Sequence, residues 1–247
     1  MSDVKVAVIV PAAGKGERFG SDGNKTLAKL EGRPVFLRAL EHFINREDVC
    51  QTILVVAGSD LAEVKSKYAP NLGFMGVALV EGGDDRVASV GAGLAKVSEE
   101  ADLVAIHDAV RPCVTRAMID AVFAEAAKSG AAILASPLHG TIKRVSDAGV
   151  IDATVSREGL YEAQTPQVFR RSLLVEVYAD LPEGADQATD DAGVVELAGH
   201  PVAVVKSDAT NLKITTKGDL TLAKAIIKAR PPDKRAKPLG AFEEAQW

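Results

Sequence analysis

Apolar and polar positions along this chain follow two rhythms in turn. Residues 4–10 form a run rich in β-branched side chains, the pattern of a strand covered on both faces. Comparable runs at 52–57, 77–80, 103–106, 131–135 and 202–205 predict further strands. Between them the period lengthens to that of a helix. After Pro34, a residue suited to a first helical turn, Phe36, Leu37, Leu40, Phe43 and Ile44 recur on one helical face. Helices are also predicted over about 60–68, 86–97, 116–129, 171–179, 190–198 and 217–228, with Thr115 capping the one at 116–129. The alternation predicts an α/β fold: a mostly parallel, Rossmann-like sheet with helices on both faces, in a single domain over residues 1–229.

One stretch departs from this rhythm. Residues 141–156 carry two short alternating segments, TIKRV and VIDATV, around Asp147-Ala148-Gly149, which predicts a hairpin. With its flanks it spans about 137–159. It is either an ordinary edge element or a projecting arm used for dimerisation or as a lid. Residues 230–247 are rich in Pro, Lys, Glu and Ala and are expected to be a mobile tail.

Composition narrows the partners. Apolar residues make up 47% of the 247, enough for a sizeable core, but aromatics only 4%. So few rings make a poor surface for stacking bases. The net charge of −5 offers polyanions no bulk attraction, so any phosphate must be held by a few placed cations and amides. Nucleic acid is therefore not an expected partner. Cys50 and Cys113 stand alone, with neither a disulfide framework nor a metal spacing, which suits a reducing cytoplasm. The first apolar run follows no cationic region and leads to no cleavage site, and no apolar stretch is long enough to cross a membrane. The expected location is the cytoplasm.

The first strand runs into Pro11-Ala12-Ala13-Gly14-Lys15-Gly16-Glu17-Arg18-Phe19-Gly20. Three glycines let the backbone approach a ligand and turn its N–H groups toward anionic oxygens. The carboxyl end of a strand is also where α/β sheets place ligands. The loop is neither a P-loop nor a dinucleotide fingerprint: Phe19 takes a required glycine position in both, and no acidic residue ends the following strand. What remains is a glycine loop with cations, Lys15, Arg18 and, further on, Lys25. Asp108 ends the strand at 103–107 beside Arg111, again at a carboxyl edge. Gly82-Gly83-Asp84, with Arg86 and Ser89, opens a helix, where anions and polar ligands bind. Lys213 in NLKIT reads as a cation on a strand. His107 has no partner at metal spacing and reads as structural.

The loop PAAGKGERFG and Lys25 resemble the signature of sugar-phosphate and polyol-phosphate nucleotidyltransferases. GGDDRVASV, HDAVRP, TIKR, AQTPQVF, ATDDA and NLKIT follow in order. Together, over residues 4–229, they resemble the 2-C-methyl-D-erythritol 4-phosphate cytidylyltransferases of the non-mevalonate isoprenoid pathway. The related ribitol 5-phosphate cytidylyltransferases share HDAVRP and TPQ, but Pro11-Ala12-Ala13 and the Lys-Arg of TIKR lean toward the erythritol enzymes. The resemblance implies a nucleotide-diphospho-sugar transferase fold and transfer of CMP from CTP to a polyol phosphate. Arg18, Lys25 and Lys213 would be catalytic cations. Pro11, Ala12, Ala13, Gly14, Lys15, Gly16, Gly83, Asp84, Ser89, Asp108 and Ala109 would bind CTP. Arg111, Thr141, Arg157, Thr165 and Thr189 would bind the acceptor. Asp108 would be the carboxylate nearest a Mg²⁺ or other divalent ion. A homodimer through the hairpin arm is expected. The chain departs from the family pattern at Asn24 and Thr26, where Pro and Gln usually flank the lysine, and at Gly140, where Asp usually precedes the threonine.

The chemistry asks little of a general base. A phosphate monoester is already anionic near neutral pH, so positioning and charge neutralisation at the α-phosphate must carry catalysis. The competing expectations are a silent nucleotide sensor, which has no need of clustered cations, and a nicotinamide oxidoreductase, which the failed fingerprint disfavours.

Overall fold

A computed structural model describes residues 4–14 and 26–230. In the first half of the chain, β1 (Val6–Pro11), the two-residue strands β2 (Lys29–Leu30) and β3 (Arg33–Pro34), and α1 (Val35–Glu41) lead to β4 (Val49–Val56). Then come α2 (Gly58–Phe74), β5 (Val77–Glu81), α3 (Arg86–Leu94), β6 (Leu103–Ile106), α4 (Arg116–Ser129) and β7 (Ala131–Pro137). The second half holds β8 (Ile142–Val145), β9 (Ile151–Val155), β10 (Tyr161–Arg170), α5 (Arg171–Ala179), α6 (Asp191–Leu197), β11 (Ala203–Lys206) and α7 (Lys217–Ala229).

Seven strands form the main sheet in the order β11-β7-β10-β6-β1-β4-β5. All neighbours run parallel except β10, which is antiparallel to both β6 and β7. Period-two alternation divides the strand side chains between two faces. Val6, Val8 and Val10 pack with Phe36, Leu40 and Phe123 under the helices α1, α2 and α4. Ala7 and Ile9 face the other way, onto Val90, Leu94, Leu174 and Val195 of α3, α5 and α6. Helix ends follow local chemistry. The Thr115 hydroxyl accepts from the Met118 amide at 3.2 Å, as its position predicts, and Gly130, at φ 89°, supplies the left-handed turn that stops α4.

Three expectations need correction. The long strand β10 was not foreseen, because its middle, Gln164-Thr165-Pro166-Gln167, has neither strand propensity nor alternation. Its register with β7 shifts there, where Pro166 has no N–H to give the ladder. The helix at Pro34 is shorter than its apolar spacing predicts, ending at Glu41. Arg230, the expected start of a mobile tail, donates to the Cys113 carbonyl and, at 2.8 Å, to the Thr210 hydroxyl; the rest of that tail lies outside the described residues.

The hairpin is present as the separate two-stranded sheet β8–β9, with Gly149 in its turn at φ 76°. Residues 138–160 grow out of the β7–β10 pair, closed at the base by Leu138 N–H on the Leu160 carbonyl at 3.1 Å. Val145, Val150 and Ile151 are more than half exposed on it. An element that exposes both faces in this way is an arm rather than an edge pair of the main sheet.

Candidate active site

The chain leaves β1 toward β4 and β5 on one side, then returns to β6 on the other. The crevice beyond the carboxyl ends of β1 and β6 is thus the topological switch point, where ligands of open α/β sheets bind. Pro11–Gly14 leaves β1 there, and His107 and Asp108 leave β6 beside it, held by the backbone N–H of His107 on the Ile9 carbonyl at 2.9 Å. Ala12 and Ala109 are buried, while Ala13 is half-buried and Gly14 exposed. The expected ligand-binding or catalytic residues Lys15, Gly16, Arg18 and Lys25, with their neighbour Glu17, lie outside the described residues.

The third side of the crevice is the loop from β5 into α3. Gly82 is there for closeness rather than for an unusual backbone angle. A Cβ on it would meet Ser89 Oγ at 2.7 Å, Ala13 Cβ at 3.0 Å and Val55 Cγ1 at 3.1 Å. A Cβ on Gly83 would meet Ala88 Cβ at 2.5 Å. Ser89 is buried, and its hydroxyl donates to the Gly83 carbonyl at 3.3 Å, so it shapes the loop from behind. Asp84 is exposed, and the next residue, Asp85, caps α3 by accepting from the Ala88 amide at 2.7 Å.

Asp108 is the centre of the charge arrangement. One carboxylate oxygen takes Arg86 Nη1 at 3.0 Å. The other takes Lys213 Nζ at 2.8 Å and faces Arg111 Nε at 3.5 Å. Burial alone would raise the Asp108 carboxyl, but Arg86, Lys213 and Arg111 outweigh it and hold the group well below the usual carboxylate range. Arg86 reaches on to Asp191, at 2.5 Å from Nη2, and Asp191 accepts from the Tyr178 hydroxyl at 3.2 Å. Burial raises the Asp191 carboxyl against the pull of Arg86. Among the described residues, Arg86, Lys213 and Arg111 thus converge on Asp108, and placed cations of this kind are what a phosphate site requires.

Arg86 was read only as part of the helix-opening loop, without its carboxylate partners, and Asp191 and Tyr178 were not foreseen. Arg86 and Asp191 sit within GGDDRVASV and ATDDA, so the motifs marked the segments, but no spacing rule pairs positions so far apart in the chain. Lys213 meets the expectation of a cation at the site but not that of a strand. It lies in the connection between β11 and α7, where Ile214 N–H bonds the Val110 carbonyl at 2.8 Å.

The acceptor residues divide into two groups. Thr141, Arg157 and Thr189 are exposed, and Arg157 Nη1 donates to the His139 carbonyl at the base of the arm. Arg111 and Thr165 are buried beside Asp108. Arg111 donates to the Asn211 carbonyl at 2.7 Å and to the Ala163 carbonyl at 3.4 Å. The Thr165 hydroxyl lies 3.0 Å from the Asp108 amide and 3.1 Å from His107 Nδ1. His107 is fully buried and, as expected, structural: burial, against the pull of Asp108, lowers its imidazole to about 3 and keeps it neutral.

Comparisons with known proteins identify the family. Residues 6–229 match the model of the 2-C-methyl-D-erythritol 4-phosphate cytidylyltransferase (IspD) family. The enzyme of that name from Rhodopirellula baltica is 43% identical over 233 residues, covering 90% of this chain and 94% of its own. The one from Desulforamulus reducens is 38% identical over 226 residues, covering 91% and 97%. Among solved structures, the Thermus thermophilus enzyme superposes with a TM-score of 0.74 at 32% identity, covering 91% of this chain and all of that one. The Anaerococcus prevotii synthase gives 0.75 at 27%, covering 92% of this chain and all of its own. The chain therefore belongs to the 2-C-methyl-D-erythritol 4-phosphate cytidylyltransferase family.

Proposed function

We infer that the Asp108 cage orients Lys213 for the reaction of this family, transfer of CMP from CTP to 2-C-methyl-D-erythritol 4-phosphate. The observation that carries this reading is the Lys213–Asp108–Arg86 contact set at the switch-point crevice, 2.8 and 3.0 Å across. An acceptor phosphate oxygen attacks the α-phosphorus of CTP, one P–O bond forms, the bond to the β-phosphate breaks, and pyrophosphate leaves. The nucleophile brings its own charge, so no protein base is needed. The site's task is to hold two anions together and neutralise charge as it shifts. Lys213, a free-rotating ammonium without its partner, is fixed by Asp108. Arg18 and Lys25 are assigned the α-phosphate by resemblance. Pro11–Gly14, Gly83 and Asp84 are assigned the nucleoside, with Ser89 and Ala109 behind them. Thr141, Arg157 and Thr189 are assigned the acceptor.

A Mg²⁺ ion on a triphosphate keeps several waters and takes one or two carboxylates. No group of three or more His, Cys, Asp or Glu side chains gathers for a metal among the described residues, and both Asp108 oxygens already face cations. A divalent ion would then be carried chiefly on the phosphate oxygens, with Asp108 the carboxylate assigned to its side. Such an ion supplies further charge neutralisation on the phosphates.

The exposed Val145, Val150 and Ile151 support the reading of the arm as a homodimer element that brings Thr141 or Arg157 to a twin site. No described helix is long and apolar enough to cross a membrane. The test of function is pyrophosphate release from CTP and Mg²⁺ with methylerythritol phosphate and ribitol 5-phosphate in turn. Turnover with methylerythritol phosphate is expected; turnover with ribitol 5-phosphate alone would reassign the acceptor.

A further inference from the structure

We propose that Asp219, in the first turn of α7, is a positioning residue for Lys213: its carboxylate holds the stretch of backbone from which that ammonium reaches the crevice. The proposal rests on the cytidylyltransferase reading and deepens it.

A lysine ammonium rides on a flexible stem, so its place is fixed only when both ends of the side chain are held. Asp108 holds one end, 2.8 Å from Nζ. The other end is the Lys213 backbone, and that lies in a stretch without a ladder: residues 207–216, between β11 and α7, are neither helix nor strand. Individual bonds must therefore order it. On one side of Lys213, the Asn211 carbonyl accepts from Arg111 Nη1 at 2.7 Å. On the other, Ile214 donates its N–H to the Val110 carbonyl at 2.8 Å and buries its side chain with Leu30, Val35 and Ala223.

Beyond Ile214 a single oxygen takes over. Asp219 Oδ2 accepts from the Thr215 N–H at 2.8 Å, the Thr215 hydroxyl at 2.9 Å and the Thr216 N–H at 2.8 Å. Three donors on one oxygen close the chain into a turn that begins two residues past Lys213. Both N–H groups precede the first turn of α7, where no helical carbonyl reaches them. Burial alone would raise the Asp219 carboxyl, but the bonds from Thr215 and Thr216 outweigh it and lower the group, so the acceptor stays charged at neutral pH. A carboxylate that served only to cap α7 would add stability and leave the reaction alone. The difference here is adjacency, because the turn it closes continues directly into the residues on either side of the Lys213–Ile214 peptide.

The test uses Asp219→Ala and Asp219→Asn in the full chain, with pyrophosphate release from CTP, Mg²⁺ and methylerythritol phosphate as the assay. Asp219→Ala should lower kcat/KM about tenfold, less than the loss that a full misplacement of a reacting group brings. Asp219→Asn keeps an acceptor oxygen at the same place and should stay within about threefold of the parent. The decisive comparison repeats Asp219→Ala in the Lys213→Met background, where it should change kcat/KM by less than about twofold, since its effect passes through Lys213. An equal loss in both backgrounds, or no loss in the parent, would overturn the proposal. A second measurement needs no turnover. In amide hydrogen exchange, Ile214, Thr215 and Thr216 should be protected in the parent, and in Asp219→Ala all three should exchange faster, Ile214 by about tenfold or more. An unaltered Ile214 amide would show that the carboxylate does not hold the Lys213 backbone and would overturn the proposal. Absence of turnover by the parent with methylerythritol phosphate would refute the functional reading alone, leaving exchange at Ile214 to decide this one.

Discussion

At the scale of single residues, the site is a problem of charge held out of water. Lys213 is only partly buried, and its place is set by the Asp108 oxygen 2.8 Å away. Replacing Lys213 by Met should remove one fixed cation from the transition state. The expected loss is about 3 kcal/mol, or roughly a hundredfold in kcat/KM. Steady-state kinetics with both substrates varied checks this, and an unchanged kcat/KM would remove Lys213 from the mechanism. Arg86 poses a stability question. Without it, Asp191 keeps only the Tyr178 hydroxyl among the contacts described. Arg86→Met should therefore destabilise the fold by about 3 kcal/mol, and adding Asp191→Asn should recover much of that, since the stranded charge is gone. Denaturant titrations of the two single variants and the double variant give the coupling; additive effects would show that the pair is not energetically linked. His107 adds a pH dependence. Its folded value, about 3, lies below its ordinary 6.5, so between them the unfolded chain binds a proton that the native state refuses. Stability therefore rises with pH across this window and is lost on acidification below about 6.5. From pH 6.5 to pH 5 the loss should be about 1.6 kcal/mol. His107→Gln should flatten that slope, as read from denaturation midpoints at each pH.

At the scale of elements, the loop from β5 into α3 is the tightest joint. Gly82 has Ser89 Oγ, Ala13 Cβ and Val55 Cγ1 all within 3.1 Å of where a Cβ would stand. Gly82→Ala must push the loop away from the end of β1, the side assigned to CTP. The expected result is a CTP KM raised about tenfold or more, with a smaller change in acceptor KM. An unaltered CTP KM would place the nucleotide elsewhere. The motif GGDDRVASV was legible as a helix-opening loop because Gly pairs and a capping Asp are local chemistry. Strand β10 was not, since a proline and two glutamines argue against a strand by every local rule. It becomes one because β6 and β7 offer ladders on both sides. Gln167 then serves α6, donating to Asp190 at 2.7 Å and accepting from the Ala192 amide at 2.9 Å.

At the scale of the whole molecule, the arm is the feature that the fold itself leaves unused. Its exposed Val145, Val150 and Ile151 cover nothing in the described chain. Paired Val150→Asp and Ile151→Asp changes should weaken self-association by placing like charges in the apolar contact. Sedimentation of the parent should show a dimer and that of the variant a monomer. Full activity in the monomer would show that each site is complete within one subunit.

Local order settled a good part of this protein from its residues alone. Buried β-branched runs, helical spacing and capping residues foretold the alternation of strands and helices, because each depends on neighbours a few positions away. The ordered motifs foretold the family for the same reason: they are short and contiguous. The fold decided what distance along the chain conceals. It set Asp108 and its neighbour Arg111 against Arg86 and Lys213, from three separate segments, and no sequence pattern encodes which charge meets which. It buried Thr165 and Arg111 beside Asp108. A side chain's partners depend on where the sheet brings its neighbours, and burial then makes each of those partnerships costly to break.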